Sequence, residues 1–242
     1  MLSSVKTTVN RMAAGRRWMP LKPVILAAVA ITLLAASLAA QNPVATPGTG
    51  TLLQREIARA LARLGATDEF ARRMRQAQTP EAALQAGNLL AHHGVGRLDA
   101  PTLQVRAEIL NRLFAGADVA TCAAWSRGTL DAARALALIN TLDSTTISRW
   151  GEVSARAMVA EMHASAPVAP PTSAEARDAF DAAASAMNAT DQARFRDLLP
   201  RLASAPDADM CWFSRAIYAS VLRLPTARRA TALHVLARIE SL

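Results

Sequence analysis

One pattern occurs twice in the chain, as EILNRLFAGADVATC at residues 108–122 and as DLLPRLASAPDADMC at residues 197–211. Each copy has apolar residues at helical spacing around an arginine, then Asp118 or Asp207, then a cysteine four residues later. An aspartate at a helix start accepts hydrogen bonds from the first turn, so both copies predict a helix, a short turn, an Asp N-cap and a cysteine-bearing helix. We interpret them as a duplicated helical hairpin, although a chain rich in Leu and Arg can produce such a match by chance.

The only two cysteines of the sequence, Cys122 and Cys211, occupy equivalent places in these copies. In an oxidising compartment they would form a disulfide that closes a loop of about 90 residues, worth on the order of 4 kcal/mol from chain entropy. Two buried thiols are the alternative, because free cysteine packs like a small apolar side chain. A nucleophilic cysteine is not expected, since no histidine lies at a family spacing. We therefore predict the disulfide.

Elsewhere in residues 52–242, apolar residues recur at helical spacing between signals that start and stop helices. Candidate starts are Thr79, Asp99, Asp118, Ser144, Thr172 and Asp207, and candidate ends are Gly65, Gly94, Gly116 and Gly128. No stretch alternates apolar and polar residues over the length of a strand. The sequence therefore predicts an all-α fold, an array of roughly nine to eleven short helices arranged as helical hairpins.

The Pro-rich stretch SAPVAPPTS at residues 165–173 cannot continue a helix. We interpret it as a semi-extended connector between one helical subdomain at residues 52–164 and a second at residues 174–242. At the other end of the first subdomain, residues 41–51 are uncharged and rich in Pro, Gly and Thr, which is typical of a tether.

The segment LKPVILAAVAITLLAASLAA at residues 21–40 carries no charge after Lys22, and the head at residues 1–20 has basic residues and no acid. The positive-inside rule then keeps the head in the cytoplasm and exports the rest. The apolar run is intermediate in length between a signal core and a full span, and Ser37-Leu38-Ala39 suits signal peptidase. Two hypotheses stay open: a single-pass anchor at the periplasmic side of the inner membrane, or a cleaved signal peptide and secretion.

The charge of the chain is concentrated in that amino-terminal part. The formal net charge is +8, and residues 1–40 supply +5 of it; beyond them 22 arginines face 19 acidic residues. Aromatic residues make up only 4% of the sequence, which leaves little material for stacking bases. We therefore predict no nucleic-acid partner.

No metalloprotease helix, Cys-x-x-Cys pair, nucleophile elbow or phosphate loop is present, so no metal ligand, cofactor or catalytic residue is predicted. His92 and His93 precede Gly94 at a predicted helix end, where a cationic side chain would complement the helix dipole. Glu152 and Glu161 lie nine residues apart on one predicted helix and do not form an acid–base pair. A single glutamate in a cleft would still suit a glycan-cleaving enzyme.

Two sites could contact a partner. Arg72, Arg73 and Arg75 form a local basic surface, either a solvated helix face or a contact for anionic lipid headgroups or an acidic protein. Trp212 lies off the apolar stripe of its predicted helix, where it meets either another helix or a partner.

These features favour an exported, membrane-tethered helical protein-interaction module of a bacterial-type cell envelope, acting as adaptor, assembly factor or inhibitor. Its expected partners are the membrane, through residues 21–40, and an envelope protein. An envelope enzyme that cleaves cell-wall glycan with one acidic residue is the alternative, and a third hypothesis is a chain that associates with itself.

Overall fold

The computed structural model describes residues 51–241, and this part of the chain is helical with no β-strand. Its eleven α-helices are α1 (Leu52–Arg63), α2 (Thr67–Arg75), α3 (Pro80–Gly94), α4 (Ala100–Gly116), α5 (Val119–Ser126), α6 (Ala132–Ile139), α7 (Ser144–Met162), α8 (Ser173–Ser185), α9 (Ala189–Leu198), α10 (Asp207–Arg223) and α11 (Thr226–Glu240). Two 3₁₀ turns, Val95–Arg97 and Leu199–Ser204, follow α3 and α9. The all-α prediction is confirmed.

The predicted head, the hydrophobic segment at residues 21–40 and the tether up to residue 50 lie outside the described residues. Within residues 51–241, no helix combines the length and apolar character needed to cross a bilayer.

Helix starts follow the local sequence signals in most places. Thr79, Asp99 and Asp118 each accept a hydrogen bond from the backbone N–H three residues later, and Thr172 forms a capping box with Glu175. These four predicted starts are confirmed.

Two predicted caps are wrong. Helix α7 is capped by Asp143, whose carboxylate accepts from the Thr146 N–H at 2.8 Å, and Ser144 is its first residue. Helix α10 has Pro206 at its N-cap, so Asp207 is the first helical residue and makes no cap hydrogen bond. The two copies of the repeated pattern therefore differ at the turn.

Helix α7 is the centre of the first half of the fold, where it packs against α1, α3 and α4. Small residues allow the backbones to approach closely. A Cβ added at Gly151 would lie 2.8 Å from Glu56 Cβ on α1, and one added at Gly94 would overlap the Ala157 backbone carbonyl on α7. These two glycines therefore set the spacing between α7 and its neighbours.

Helix α10 is the centre of the second half, where it packs against α4, α5, α8, α9 and α11. Helix α4 contacts both α7 and α10, so it connects the two halves. Phe114 on α4 meets the rings of Trp125 and Tyr218 at 6.4 and 5.7 Å, and Phe195 stacks on Phe213 at 4.7 Å. The core is therefore continuous through α4.

The predicted disulfide is present. Cys122 on α5 and Cys211 on α10 are bonded, with their Cα atoms 5.3 Å apart. About one helical turn beyond the sulfurs, the hydroxyls of Ser126 and Ser214 share a buried hydrogen bond of 2.6 Å. Helices α5 and α10 are therefore joined by a covalent bond and a polar bond on one face.

Two arginines, one in α10 and one just after α5, also link the two cysteine-bearing helices. Arg215 on α10 donates to the carbonyls of Phe114 and Ala117, just before α5, at 2.7 Å each. Arg127, directly after α5, donates at 2.6 Å to the Ala205 carbonyl just before α10 and pairs with Asp207 at 2.5 Å. An arginine four or five residues after each cysteine thus binds the turn that precedes the other cysteine-bearing helix.

Gly94→Ala should lower the free energy of unfolding by about 3 kcal/mol, because the added methyl group must displace the Ala157 carbonyl. Gly116→Ala is the matched control: Gly116 also ends a helix, and a Cβ there meets nothing within 4 Å. We expect the control to be unchanged or stabilised by about 0.5 kcal/mol. Urea unfolding measures both, and equal stability of the two variants would contradict the close packing of α3 on α7.

Limited proteolysis with elastase, which cleaves after small residues, should cut first between Ala164 and Ser173. Most side chains there are exposed, and no helical hydrogen bonds protect the backbone. Because the disulfide spans the cut, the two fragments should stay together on a denaturing gel until reductant is added. Fragments that separate without reductant, or first cuts elsewhere, would contradict the exposed-boundary prediction.

Candidate functional site

A cavity of about 490 Å³ lies where the ends of α3, α7 and α11 meet the connector. Its lining residues are His93, Glu161, Ala164, Ser165, Ala166, Pro167, Val168 and Ser241. A Cβ at Gly96 would lie 2.6 Å from Ser241 Oγ and 2.9 Å from Val168 Cγ1, so this glycine lets the turn after α3 approach α11 and the connector.

The polar groups of the cavity bond mainly to one another. Glu161 accepts from Arg97 Nε at 2.7 Å, and Arg97 also donates to the Ala166 carbonyl. His93 Nδ1 lies 3.0 Å from the Ser241 carbonyl. An imidazole and a carboxylate thus line one cavity, and each is bonded to another group of the protein.

Of the two candidate glutamates, only Glu161 reaches this cavity. Glu152 lies on another side of α7, where it accepts from Arg156 at 2.9 Å and pairs with Arg63. The sequence predicted each as a lone carboxylate, and in the structure His93 lines the same cavity as Glu161. Among residues 51–241, no cluster of three His, Cys, Asp or Glu side chains could hold a metal ion.

A buried polar cluster joins three helices of the core next to this cavity. Arg106 on α4 pairs with Glu240 on α11 at 2.5 Å, and the Tyr218 hydroxyl on α10 donates to the same carboxylate. Burial is the largest single influence on Arg106 and opposes its charge, but Glu240 and Tyr218 together outweigh burial and raise the pKa of the guanidinium. Burial, together with the Glu240 charge, raises the pKa of Tyr218 well above its usual value. The guanidinium of Arg106 therefore stays charged, and the phenol of Tyr218 stays neutral.

No local sequence pattern predicted this cluster. The available signal was an arginine on the core face of α4, at helical spacing between Leu103 and Leu110. Its partners come from positions more than 100 residues later, which no local pattern connects to it.

The hypothesis that a charged His92 complements the helix dipole is wrong. It lies in the last turn of α3, as expected, but burial lowers its pKa from 6.5 to about 4, with smaller contributions from the nearby charges of His93 and Arg106. It is therefore neutral at pH 7 and carries no charge to complement the helix dipole.

The free energy of unfolding should fall as the pH drops from 6.5 toward 4, because the unfolded chain protonates His92 in that range and the folded chain does not. We expect His92 to account for about 1–2 kcal/mol of this loss, since it is only partly buried. His92→Gln should remove that part of the pH dependence, measured by urea unfolding across the range. His234→Gln, a half-buried histidine on α11, is the control, and an equal change in both variants would contradict the assignment.

Trp212 is half-buried on α10, with its ring against the core and against one arginine. The Arg194 guanidinium lies 4.3 Å from the indole centroid, and Arg194 also pairs with Asp209 at 2.8 Å. Arg201 lies 3.9 Å from the same carboxylate. We call these four residues the Trp212 surface. The intramolecular contact fixes the ring and leaves part of it exposed.

The three predicted basic residues differ in their contacts. Arg73 donates to the Met162 carbonyl at 2.8 Å and lies 3.7 Å from Glu69. Arg72 and Arg75 are exposed, and neither forms an ion pair within the described part of the chain. Two of the three side chains are therefore available to a partner.

Comparison with known proteins identifies no family for this chain. No protein-family model, curated protein or solved structure matches the chain.

Proposed function

We propose that the protein is an exported helical interaction module, held by residues 21–40 at the periplasmic face of a bacterial-type inner membrane. The observation that carries the proposal is the Cys122–Cys211 disulfide, because such bonds persist in oxidising compartments and are rare in the cytosol. It agrees with the basic head, the apolar segment and the uncharged tether that precede the helices.

The Trp212 surface supports a protein as the partner. Tryptophan and arginine are the residue types most enriched where binding energy concentrates. Arg194 holds the indole in place, which lowers the entropy lost on binding, and the side chains of Arg194 and Arg201 are 44% and 50% exposed. The complementary partner presents an apolar pocket for the ring with acidic groups at its edge.

Trp212→Ala should weaken capture of this partner from a native envelope extract by at least about 30-fold, the loss typical of a central tryptophan. The bait is the oxidised full chain in mild detergent. Leu89→Ala, which removes an apolar side chain 46% exposed on α3, is the matched control and should capture normally. Arg201→Glu is a second test that leaves the indole packing unchanged and should also weaken capture.

Unchanged capture by both Trp212→Ala and Arg201→Glu would contradict the proposed surface. The glycan-cleaving alternative has one supporting observation, the cavity that Glu161 shares with His93. An empty capture, together with cell-wall hydrolysis that Glu161→Gln abolishes, would favour that enzyme. Sedimentation of the bait as a dimer at low concentration would instead favour self-association.

A further inference from the structure

The first two helices of the folded part carry a net charge of +3, whereas the charges of the remaining folded residues sum to zero. Residues 52–75, which form α1 and α2, contain 6 arginines and 3 acidic residues. Residues 76–242 contain 16 arginines and 16 acidic residues, and residues 41–51 contain none of either. The net excess of three charges after residue 40 therefore equals the excess in α1 and α2; α11 also has three arginines against one acidic residue, which other segments offset.

Helix α1 carries its arginines along its exposed face. Arg55, Arg59 and Arg63 follow one another at four-residue intervals, opposite the buried Leu53 and Ile57. Arg59 pairs with Glu56 and Arg63 with Glu152, yet their side chains stay 62% and 58% exposed. The cationic groups therefore remain within reach of an outside anion.

Helix α2 adds Arg72 and Arg75, which are exposed and form no ion pair within the described range. Their nearest acidic neighbours in sequence, Asp68 and Glu69, lie in the first turn of α2, where the helix dipole favours them. The charge pattern of α2 is thus acidic at its start and basic at its end.

The chain length keeps these helices close to the membrane segment. Only residues 41–51 separate residue 40 from Leu52. Eleven residues span at most about 40 Å when fully extended, and a flexible linker of that length averages about 18 Å. Anionic lipid attracts cations over about one Debye length, roughly 10 Å at 0.1 M salt, so a chain held in the membrane at residue 40 would bring the first helices, on average, within about two Debye lengths of the surface.

We propose that α1 and α2 dock on the anionic lipid headgroups of the same bilayer that holds residues 21–40. The inference rests on the proposed function, because it needs the tether to be membrane-bound. Lipid is favoured over an acidic protein because the short tether supplies the bilayer surface at high local concentration. The Trp212 surface is on α9 and α10, which pack in the other half of the fold, so docking leaves it open to a partner.

The test uses the oxidised full chain in lipid nanodiscs. One disc type contains phosphatidylcholine alone, and the other contains equal parts of phosphatidylcholine and phosphatidylglycerol. A nitroxide is attached through Ala62→Cys on α1 or, as control, through Ser204→Cys near α10; both positions are exposed, and the native cysteines are paired. Relaxation by a lipid with a nickel-chelating headgroup reports contact with the bilayer surface.

The label at position 62 should relax strongly in anionic discs and weakly in neutral discs, while the label at position 204 should not distinguish them. Each arginine near an anionic surface contributes about a fivefold preference, so Arg72→Glu with Arg75→Glu should reduce the docked-to-undocked ratio by at least about 25-fold. Arg196→Glu with Arg228→Glu is the matched control, since both arginines are exposed and make the same change in net charge. High salt should act like the first double variant.

The outcomes separate the two proposals. Failure of the chain to co-elute with either disc type would overturn the membrane tether, and the docking with it. Co-elution with equal relaxation in both disc types would overturn docking alone. Equal losses in the two double variants would reduce the effect to net charge and would also overturn docking by this surface. If docking is absent but Arg72→Glu with Arg75→Glu abolishes capture of a partner protein, those arginines bind protein instead.

Discussion

The bond between Cys122 and Cys211 is the constraint around which the fold is arranged, because it joins two helices 89 residues apart in sequence. A covalent bond fixes only one point, and the exchanged arginines fix the orientation: Arg127 and Arg215 each hold the turn before the other helix. Carbonyls at helix-connecting turns lack helical partners, so each arginine satisfies groups that would otherwise need water. The two cysteine-bearing helices, each of which begins in one copy of the repeated pattern, thus contact each other reciprocally.

Local chemistry explains which parts of this fold could be predicted. Starts such as Thr79, Asp99 and Thr172 depend on residues three positions apart, so the sequence contains all the necessary information. Asp207 is not the cap because Pro206 takes the N-cap position, and the Asp207 carboxylate instead pairs with Arg127, a residue distant in sequence. The Arg106–Glu240–Tyr218 cluster was missed for the same reason, since its members meet only through tertiary packing.

The candidate site shows the same division. Glu161 could be named from the sequence, but its cavity exists only because α11 returns to the end of α3 and the connector passes over both. His92 was placed correctly at a helix end and assigned the wrong charge, because burial outweighs the dipole at that position. The sequence predicts where a residue lies along a helix, whereas the protonation state of its side chain depends on the tertiary structure around it.

The two halves of the fold differ in net charge. In the proposed arrangement, this difference determines which end of the fold faces the bilayer. Beyond α2 every arginine is matched in number by an acidic residue, and many are used internally, as Arg215 and Arg238 are on backbone carbonyls. An arginine that donates a hydrogen bond to a backbone carbonyl of its own chain must break that bond before it can bind an anion of a partner. Residues 52–75, which contain α1 and α2, have three more arginines than acidic residues, and they are the helices nearest in sequence to the proposed tether. In the proposed arrangement, the bilayer contacts α1 and α2. The electrically neutral half of the fold, which carries the Trp212 ring held by Arg194, then faces the compartment from which a protein partner would arrive.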